Sequence, residues 1–506
     1  MVKNYWEMAA FIVYLVLVLG IGIFFFVKGR KQTGDKAYFL GGRQMNGFVA
    51  ALSAGASDMS AWVLMGLPGS IYLAGMGEVW ISVGLLIGTV CAWLFIAPRL
   101  RKYSIKADDS ITIPQFLTNR FKEKNHTLQA VCAVIFIIVY CIYSASSISA
   151  CGKLFNSIFG WDPLYAMIGA TCIILLYTFL GGFNAVCWTD FFQGMLMLMA
   201  LMAAPIVAVV IMNKPGFTPL AEVVTSENYY NPLTTGKFDF KSIIDILSGL
   251  GWGIGYMGMP HILVRYMSIK SEKEMKRSQI IGCFWTTLIL IMASVVGLVA
   301  HKYLGIMLVE NEEIVFITMV RALFPALLSG ILLSAILAAS MSTADSQLLA
   351  SSSAFATDFY KPILRKKAGD KEMLVVGRGV VAFISVIALM IAVNPNCKGI
   401  MDLVERAWGA FGAAFGPAII LALYWKRFTY KGAIAGIIAG FAMDAFWYCC
   451  FTGKVANLTI YPVGLYEIVP GFVFSIIVAI IVSLIDKKPA REVSDLFDEV
   501  SRMKEN

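Results

Sequence analysis

Two polar clusters lie inside otherwise apolar stretches of the 506-residue sequence, and both carry groups that bind cations. The first is Ser57-Asp58-Met59-Ser60, and the second contains Ser342 and Thr343 with Asp345 close by. Hydroxyl, carboxylate and backbone carbonyl oxygens are the ligands that hard cations prefer. A carboxylate at bilayer depth costs at least about 2.5–3.5 kcal/mol, so Asp58 is expected to face a cavity or a cation. A packing role, in which Asp58 bonds a neighbouring helix, remains the alternative.

A third stretch, 248–261, interrupts an apolar run with five glycines in ten residues, followed by Pro260. Each glycine weakens a helix by roughly 1 kcal/mol relative to alanine, and proline removes a helix hydrogen bond. A broken helix is tolerated in a membrane only where its backbone lines protein or a cavity. Close helix packing would explain the glycines. It would not explain Trp252 and Tyr256, whose four-residue spacing is typical of one wall of a small-solute pocket.

The composition predicts that these clusters lie within membrane helices. Hydrophobic residues make up 59% of the chain and charged residues 14%, against about 45–50% and about 25% in soluble domains. The apolar stretches predict an all-α membrane protein with thirteen transmembrane helices. They lie near 5–27, 44–76, 78–98, 127–158, 163–182, 185–213, 242–266, 278–302, 322–357, 374–393, 400–424, 431–451 and 466–485.

The distribution of basic residues predicts the orientation. If the chain starts outside, 29 of the 41 Lys and Arg residues fall in cytoplasmic segments and six fall outside. Cytoplasmic loops are rich in Lys and Arg, so the N-terminus is expected outside and the C-terminus inside. The net charge of +9 is then explained by orientation, and no nucleic-acid partner is expected. The tail after Lys487 is predicted to be a solvated helix.

The sequence also excludes classes of function. It contains no P-loop, hydrolase or zinc-protease motif, and its three histidines are too far apart to pair as ligands. One dinucleotide-type match, Gly253-x-Gly255-x-x-Gly258, follows no predicted strand and is interpreted as a chance match. Its ten cysteines fall mostly in apolar stretches, which predicts small hydrophobic residues and not a disulfide framework or metal site. We therefore expect a protein that is not an enzyme. A channel, a receptor-like sensor and a transporter driven by an ion gradient remain open.

The two interrupted helices are the second and the seventh, five apart. This spacing is expected when two five-helix units of inverted topology each begin with a broken helix, as in secondary transporters. The predicted organisation has six parts: a first span and cytoplasmic loop at 1–43, a first repeat at 44–213, an extracellular loop at 214–241, a second repeat at 242–424, two further spans at 425–485 and a cytoplasmic tail at 486–506.

Over about residues 1–490 the sequence resembles the sodium:solute symporter family. The resemblance is carried by four motifs. They are 53–60, the signature that runs from Gly181-Gly182 through Trp188 and Asp190 to Gln193, the stretch 251–261, and Met341-Ser342-Thr343. It implies a leucine-transporter-type fold that couples one Na⁺ to one small solute, and Trp252, Tyr256 and Pro260 resemble the branch that carries L-proline.

The resemblance also implies roles for single residues. The Na⁺ ligands would be the carbonyls of Ala56, Met59 and Ala339 and the hydroxyls of Ser342 and Thr343. Asp58 and Ser60 would support the ion site, and Asp190 would lie on the exit route of the ion. Proline would contact Ser57, Tyr143, Trp252, Tyr256 and Pro260. One departure is Ala61, which stands where such sequences usually carry Gly and leaves the kinetics open.

The expected function is Na⁺-coupled uptake of L-proline through the plasma membrane of a bacterium, with Na⁺ as the co-transported ion and no organic cofactor. The first alternative is a Na⁺ symporter of the same fold that transports another solute, such as pantothenate or another small carboxylate. A transporter-like sensor or channel is the second. The sequence leaves the ion-to-substrate ratio, the affinity, the resting conformation and the oligomeric state undetermined.

Overall fold

The computed structural model describes residues 5–29, 40–180, 183–309, 311–394, 397, 399–455 and 458–503. Over these ranges the regular structure is helical, apart from one isolated bridge between Met45 and Ile269. Ten helical stretches in this part of the chain are long and apolar enough to cross a membrane. The prediction of an all-helical membrane protein is confirmed at this level.

The helices are longer than the predicted spans in several places. The first ten are α1 Tyr5–Gly29, α2 Gly47–Asp58, α3 Leu67–Ala74, α4 Val79–Cys91, α5 Ala97–Lys106, α6 Ile113–Arg120, α7 Thr127–Phe159, α8 Pro163–Leu180, α9 Phe183–Met212 and α10 Phe240–Gly251. They are followed by α11 Pro260–Ser268, α12 Glu272–Leu304, α13 Val315–Leu323, α14 Ala326–Ser353, α15 Asp370–Val393, α16 Ile400–Tyr424, α17 Tyr430–Phe451, α18 Ile468–Ile485 and α19 Arg491–Arg502. Short π segments lie at Trp62–Gly66 and Ala92–Ile96, and a longer one lies at Ala354–Leu364. A 3₁₀ segment, Trp252–Met257, follows α10.

Side-chain caps fix where several of these helices begin. The Asn46 side chain accepts a hydrogen bond from the Val49 N–H at 2.9 Å at the start of α2. Asp239 does the same for the Ser242 N–H at 2.9 Å at the start of α10, and this bond lowers the pKa of the Asp239 carboxyl. Such caps satisfy amide groups that the first helical turn leaves without a partner. The two interrupted segments therefore start at defined residues.

The segment α2–α3 runs alongside α12 in the same direction. Gly47 packs against Glu274 near the start of α12, and Ile71 packs against Gly297 near its end. At Gly75 the backbone adopts φ +82°, which glycine tolerates and other residues rarely adopt. The chain reverses direction at this residue.

The segment α4–α5 therefore runs antiparallel to α12. The hydroxyls of Ser82 and Ser294 lie 2.8 Å apart, and further along Lys102 pairs with Glu272 at 3.3 Å. The segment α10–α11 follows α4–α5 in the same direction, since Gly84 packs against Gly249 and the Arg101 guanidinium donates to the Ile269 carbonyl at 2.6 Å. The two interrupted segments consequently run antiparallel, with their breaks side by side.

One end of the helix bundle gathers the basic segments. There Lys106 and Lys426 pair with Glu499 and Asp498 of α19 at 2.5 and 2.6 Å. The C-terminal segment is helical, as predicted, but one face of α19 is buried against the bundle through Val493, Leu496 and Val500. The start of α1 lies at the opposite end, where Glu7 pairs with Arg321 at 2.7 Å. Most of the predicted loop 28–43, together with Lys3, Lys398 and residues 504–506, lies outside the described residues.

A substitution at the closest backbone approach tests this packing. A methyl group on Gly253 would collide with the carbonyl of Gly84, because α4 and the segment after α10 meet backbone to backbone. We expect Gly253→Ala to lower the free energy of unfolding by about 1–3 kcal/mol through overpacking. Gly379→Ala is the control, since nothing lies within 4 Å of its added methyl group. Thermal unfolding of the purified variants measures both, and a Gly253→Ala protein as stable as the wild type would contradict the packing.

Candidate functional site

The first break lies in the middle of the bundle. Helix α2 ends at Asp58, and Met59 has φ −82° and ψ 81°, outside the helical region. The chain becomes helical again with the π segment that starts at Trp62. Ala56, Asp58 and Met59 are buried. Backbone oxygens near this break therefore lie in the protein interior without the regular helical pattern around them.

Helix α14 presents two hydroxyls to this break. The Ser342 hydroxyl donates to the Ala56 carbonyl at 2.7 Å and to the Ala339 carbonyl at 3.0 Å. The Thr343 hydroxyl lies 3.4 Å from the same Ala56 oxygen. Four of the five predicted Na⁺-binding groups are thus brought together, and the fifth, the Met59 carbonyl, belongs to the break itself. Uncharged oxygens in this arrangement suit a hard monovalent cation once the hydroxyl protons rotate away.

Asp58 connects the first break to the second. Its carboxylate accepts a hydrogen bond from the Tyr256 hydroxyl at 2.5 Å, and its second oxygen has no partner among the described residues. The Asp58 backbone carbonyl accepts the indole N–H of Trp62 at 3.1 Å. Asp58 therefore bonds the second interrupted segment through its carboxylate and its own segment through its backbone carbonyl.

The two predicted serines of this motif bond locally. The Ser57 hydroxyl donates to the Ala54 carbonyl at 3.0 Å, within its own helix. The Ser60 hydroxyl accepts the Trp62 N–H at 3.4 Å and so closes the turn after the break. The contact between Ser57 and a substrate carboxylate, and the support of the ion by Ser60, stay predictions.

The second break carries an aromatic wall. Ring centroids separate Trp252 from Trp62 by 6.3 Å, from Trp408 by 6.5 Å and from Tyr466 by 5.2 Å. The Trp408 indole donates to the Trp252 carbonyl at 2.7 Å, and its ring lies 5.1 Å from Tyr256, edge to face. The sequence predicted Trp252 and Tyr256. Trp408 and Tyr466 were missed, because a single aromatic residue in an apolar helix carries no distinguishing pattern.

The remaining predicted solute contacts flank this wall. Tyr143 is fully buried in α7, and its hydroxyl has no hydrogen-bond partner within the described structure. Its ring lies 6.2 Å from that of His261, the residue after Pro260. Pro260 and His261 line a narrow cavity that also touches Thr112, at the end of the bundle with the basic segments. The cavity connects that end with the region of the second break.

Asp190 is paired with an arginine that the sequence interpretation missed. Its carboxylate accepts the Ser53 hydroxyl at 2.7 Å and the Arg265 guanidinium at 2.9 Å, with both charged side chains almost fully buried. Arg265 also donates to the Ser53 hydroxyl at 2.8 Å and to the His261 carbonyl at 2.6 Å. Arg265 is the second-last residue of the predicted span 242–266, a position where a basic side chain ordinarily reaches the membrane surface, so the sequence carried no signal for a buried partner.

Comparisons with known proteins match most of the chain to one family. The model of the sodium:solute symporter family matches residues 38–440. The osmoregulated proline transporter OpuE of Bacillus subtilis (strain 168) is 43% identical over 495 residues, which cover 97% of each chain. A sodium/proline symporter of Staphylococcus aureus (strain JH9) is 42% identical over 484 residues, 94% of this chain and 92% of the relative.

Two solved structures share the fold. A Na⁺-coupled sialic acid symporter in a substrate-bound outward-open state superposes with a TM-score of 0.76 at 19% identity, covering 96% of this chain and 99% of that one. MhsT in complex with L-phenylalanine gives a TM-score of 0.53 at 14% identity, covering 87% and 97%. Gly181 and Gly182, which open the predicted signature motif, lie outside the described residues.

The buried pair of Asp190 and Arg265 predicts a stability difference. We expect Asp190→Asn to lower the free energy of unfolding by about 3–5 kcal/mol, because it leaves the arginine charge buried without a partner. The double variant Asp190→Asn/Arg265→Gln removes both charges and is expected to be more stable than Asp190→Asn alone. Thermal unfolding in detergent measures the series.

The control is an exposed ion pair. Asp495 and Arg491 in α19 lie 3.7 Å apart, with 66% and 94% of their side chains exposed. Asp495→Asn should change the stability by less than about 1 kcal/mol. If Asp190→Asn changes the free energy of unfolding as little as Asp495→Asn does, Asp190 does not stabilise the fold by compensating the buried charge of Arg265.

Proposed function

The chain belongs to the sodium:solute symporter family, and we propose that it couples the entry of Na⁺ to the uptake of L-proline across the plasma membrane of a bacterium. The observation that carries the proposal is the contact of the Ser342 and Thr343 hydroxyls with the Ala56 carbonyl at the break of α2. The names of the two relatives at 42–43% identity support proline as the cargo.

The proposed Na⁺ ligands are the carbonyls of Ala56, Met59 and Ala339 with the hydroxyls of Ser342 and Thr343. A cation bound here would contact both α14 and the first break, and its positive charge would attract the carboxylate of Asp58. The bond between Asp58 and Tyr256 would then transmit this order to the second break. Na⁺ would in this way organise the solute site, and by linkage the solute would raise the affinity for Na⁺ by the same factor.

L-Proline is proposed to bind between the two breaks. The faces of Trp252 and Tyr256 offer apolar contact for its ring, while Tyr143 and Pro260 bound the same region. Helix α11 starts at Pro260, and the partial positive charge of its N-terminus favours an anionic carboxylate. Ser57 is the proposed side-chain contact of that carboxylate.

We also propose thirteen spans, in two inverted repeats of five helices at 44–213 and 242–424. The thirteen would be the ten long apolar helices, the shorter apolar helix Pro163–Phe179 and the two interrupted segments. The end of the first interrupted segment and the helix that follows it lie in one long stretch, Trp62–Lys106. The antiparallel course of the two interrupted segments supports the inverted repeat. The basic end would face the cytoplasm, with the N-terminus outside.

Uptake into proteoliposomes tests the function. We expect an inward Na⁺ gradient to drive accumulation of radiolabelled L-proline, and an equal K⁺ gradient to drive none, because only Na⁺ would complete the proposed site. A panel of unlabelled solutes, including pantothenate, identifies the cargo by competition. Uptake that is indifferent to Na⁺ would contradict the coupling, and inhibition by pantothenate but not by proline would contradict the cargo.

A pair of serine variants tests the ion site. We expect Ser342→Ala to raise the Na⁺ concentration for half-maximal proline uptake by about tenfold, the loss of about 1.4 kcal/mol of ion binding. Ser340→Ala is the matched control, because the Ser340 hydroxyl is equally buried on α14 but donates to the Ile336 carbonyl at 2.9 Å. Its Na⁺ dependence should match the wild type. Equal effects of the two substitutions would exclude Ser342 as a ligand.

A further inference from the structure

Two buried carboxylates lie close together between the second half of α17 and the start of α18, far along the chain from the helix breaks. Asp444 in α17 is 5% exposed, and Glu467, directly before α18, is fully buried. One oxygen of Asp444 and both oxygens of Glu467 have no hydrogen-bond partner in the described part of the chain. Unpartnered carboxylate oxygens at this depth are costly, so they indicate a missing positive charge.

Both side chains point at a glycine of α16. A methyl group on Gly409 would lie 2.8 Å from the Asp444 Oδ1 atom and 3.4 Å from the Glu467 Cγ atom. The missing Cβ therefore leaves the space into which both acidic side chains project. The hydroxyl of Tyr448 in α17, also without a hydrogen-bond partner among the described residues, adds a further oxygen on this side of the bundle.

The neighbouring basic side chains are engaged by other acids. Lys454 pairs with Glu405 at 2.5 Å, and Arg406 pairs with Asp402 at 2.8 Å. Four carboxylates thus share two basic residues. Glu78 and the hydroxyl of Tyr466, which donates to the Glu405 carbonyl at 2.7 Å, are the other titratable groups that face this cluster. Asp444 and Glu467 form no ion pair within the described residues, and Lys454, which is bonded to Glu405, acts on Glu467 only at longer range.

We infer that Asp444 and Glu467 form a second cation-binding site, which holds one monovalent positive charge, Na⁺ or H⁺, between α16, α17 and α18. Carboxylate oxygens are suitable ligands for a hard cation. Two carboxylates close together can equally share one proton, because both cannot remain ionised in a buried site. Either occupant neutralises the same excess of negative charge.

Residues adjacent in sequence to this site contact Trp252 of the aromatic wall. Tyr466, next to Glu467, packs its ring 5.2 Å from Trp252. Trp408, next to Gly409, donates its indole N–H to the Trp252 carbonyl. Occupancy of the site therefore shifts the environment of Trp252. The effect on proline rests on the proposed function, whereas binding of the cation does not.

The experiment compares wild-type protein with the variant Asp444→Asn/Glu467→Gln in the absence of proline. Two quantities are measured in detergent: the number of ²²Na⁺ ions bound per chain at saturation, and the tryptophan fluorescence in Na⁺-free buffer between about pH 5.5 and 9. Glu227→Gln, in the exposed loop before α10, is the control and should match the wild type in both.

If Na⁺ occupies the site, the stoichiometry falls by one ion per chain in the double variant. If H⁺ occupies it, the Na⁺ stoichiometry is unchanged, and a fluorescence transition of the wild type is lost. Wild type and double variant that agree in both measurements overturn the inference, whatever the result of the transport assay.

Folding of the variants gives an independent check. The double variant replaces both buried charges with neutral amides of similar size, so we expect it to unfold at a temperature no lower than that of either single variant. Glu467→Asp keeps the charge and should retain the occupant with weaker affinity. If the double variant does not fold, the single variants Glu467→Asp and Asp444→Asn are compared instead. Equal Na⁺ stoichiometry and equal pH dependence of fluorescence in these two variants would mean that loss of the charge has no effect, and would overturn the inference.

Discussion

A break in a membrane helix leaves carbonyl and amide groups without their helical partners, and the surrounding hydrocarbon offers no replacement. Two such breaks, after Asp58 and after Gly251, occur in the described part of the chain, and the structure brings them side by side in the protein interior. The Tyr256 hydroxyl bonds the Asp58 carboxylate across them. The glycines around the second break permit this approach, since Gly253 meets α4 backbone to backbone. Fold and site thus depend on the same requirement to satisfy polar groups away from water.

That requirement also explains how two ligands could depend on each other. The Ala56 carbonyl is already approached by hydroxyls of α14, so a cation at this position would be bound jointly by α14 and by the first break. The Asp58 side chain extends from the same turn to the aromatic wall. Ordering one site therefore removes part of the entropic cost of ordering the other, which is the physical basis of positive coupling.

Much of the site could be predicted from polar and helix-breaking residues that interrupt apolar stretches of the sequence. Asp58, the glycine-rich stretch and the Ser342-Thr343 pair are conspicuous because their burial without a partner is costly. Arg265 could not be recognised, because it lies at the edge of a predicted span, where basic residues are common, and its pairing with Asp190 arises from tertiary contact. Trp408 and Tyr466 could not be found, because their role arises from tertiary contact with Trp252. A hydropathy pattern detects only the part of a helix that lies within the membrane. The sequence therefore predicted that the eighth span begins at 278, whereas α12 begins at Glu272.

We propose that Na⁺ and L-proline occupy adjoining sites whose affinities are coupled. The most direct test is equilibrium binding to the purified protein, with the dissociation constant of proline measured at saturating Na⁺ and in its absence, and that of Na⁺ measured with and without proline. Linkage requires the two ratios to be equal. We expect a ratio of at least about fivefold in both directions, the lower end of typical allosteric coupling. A proline affinity that is the same with and without Na⁺ would contradict it.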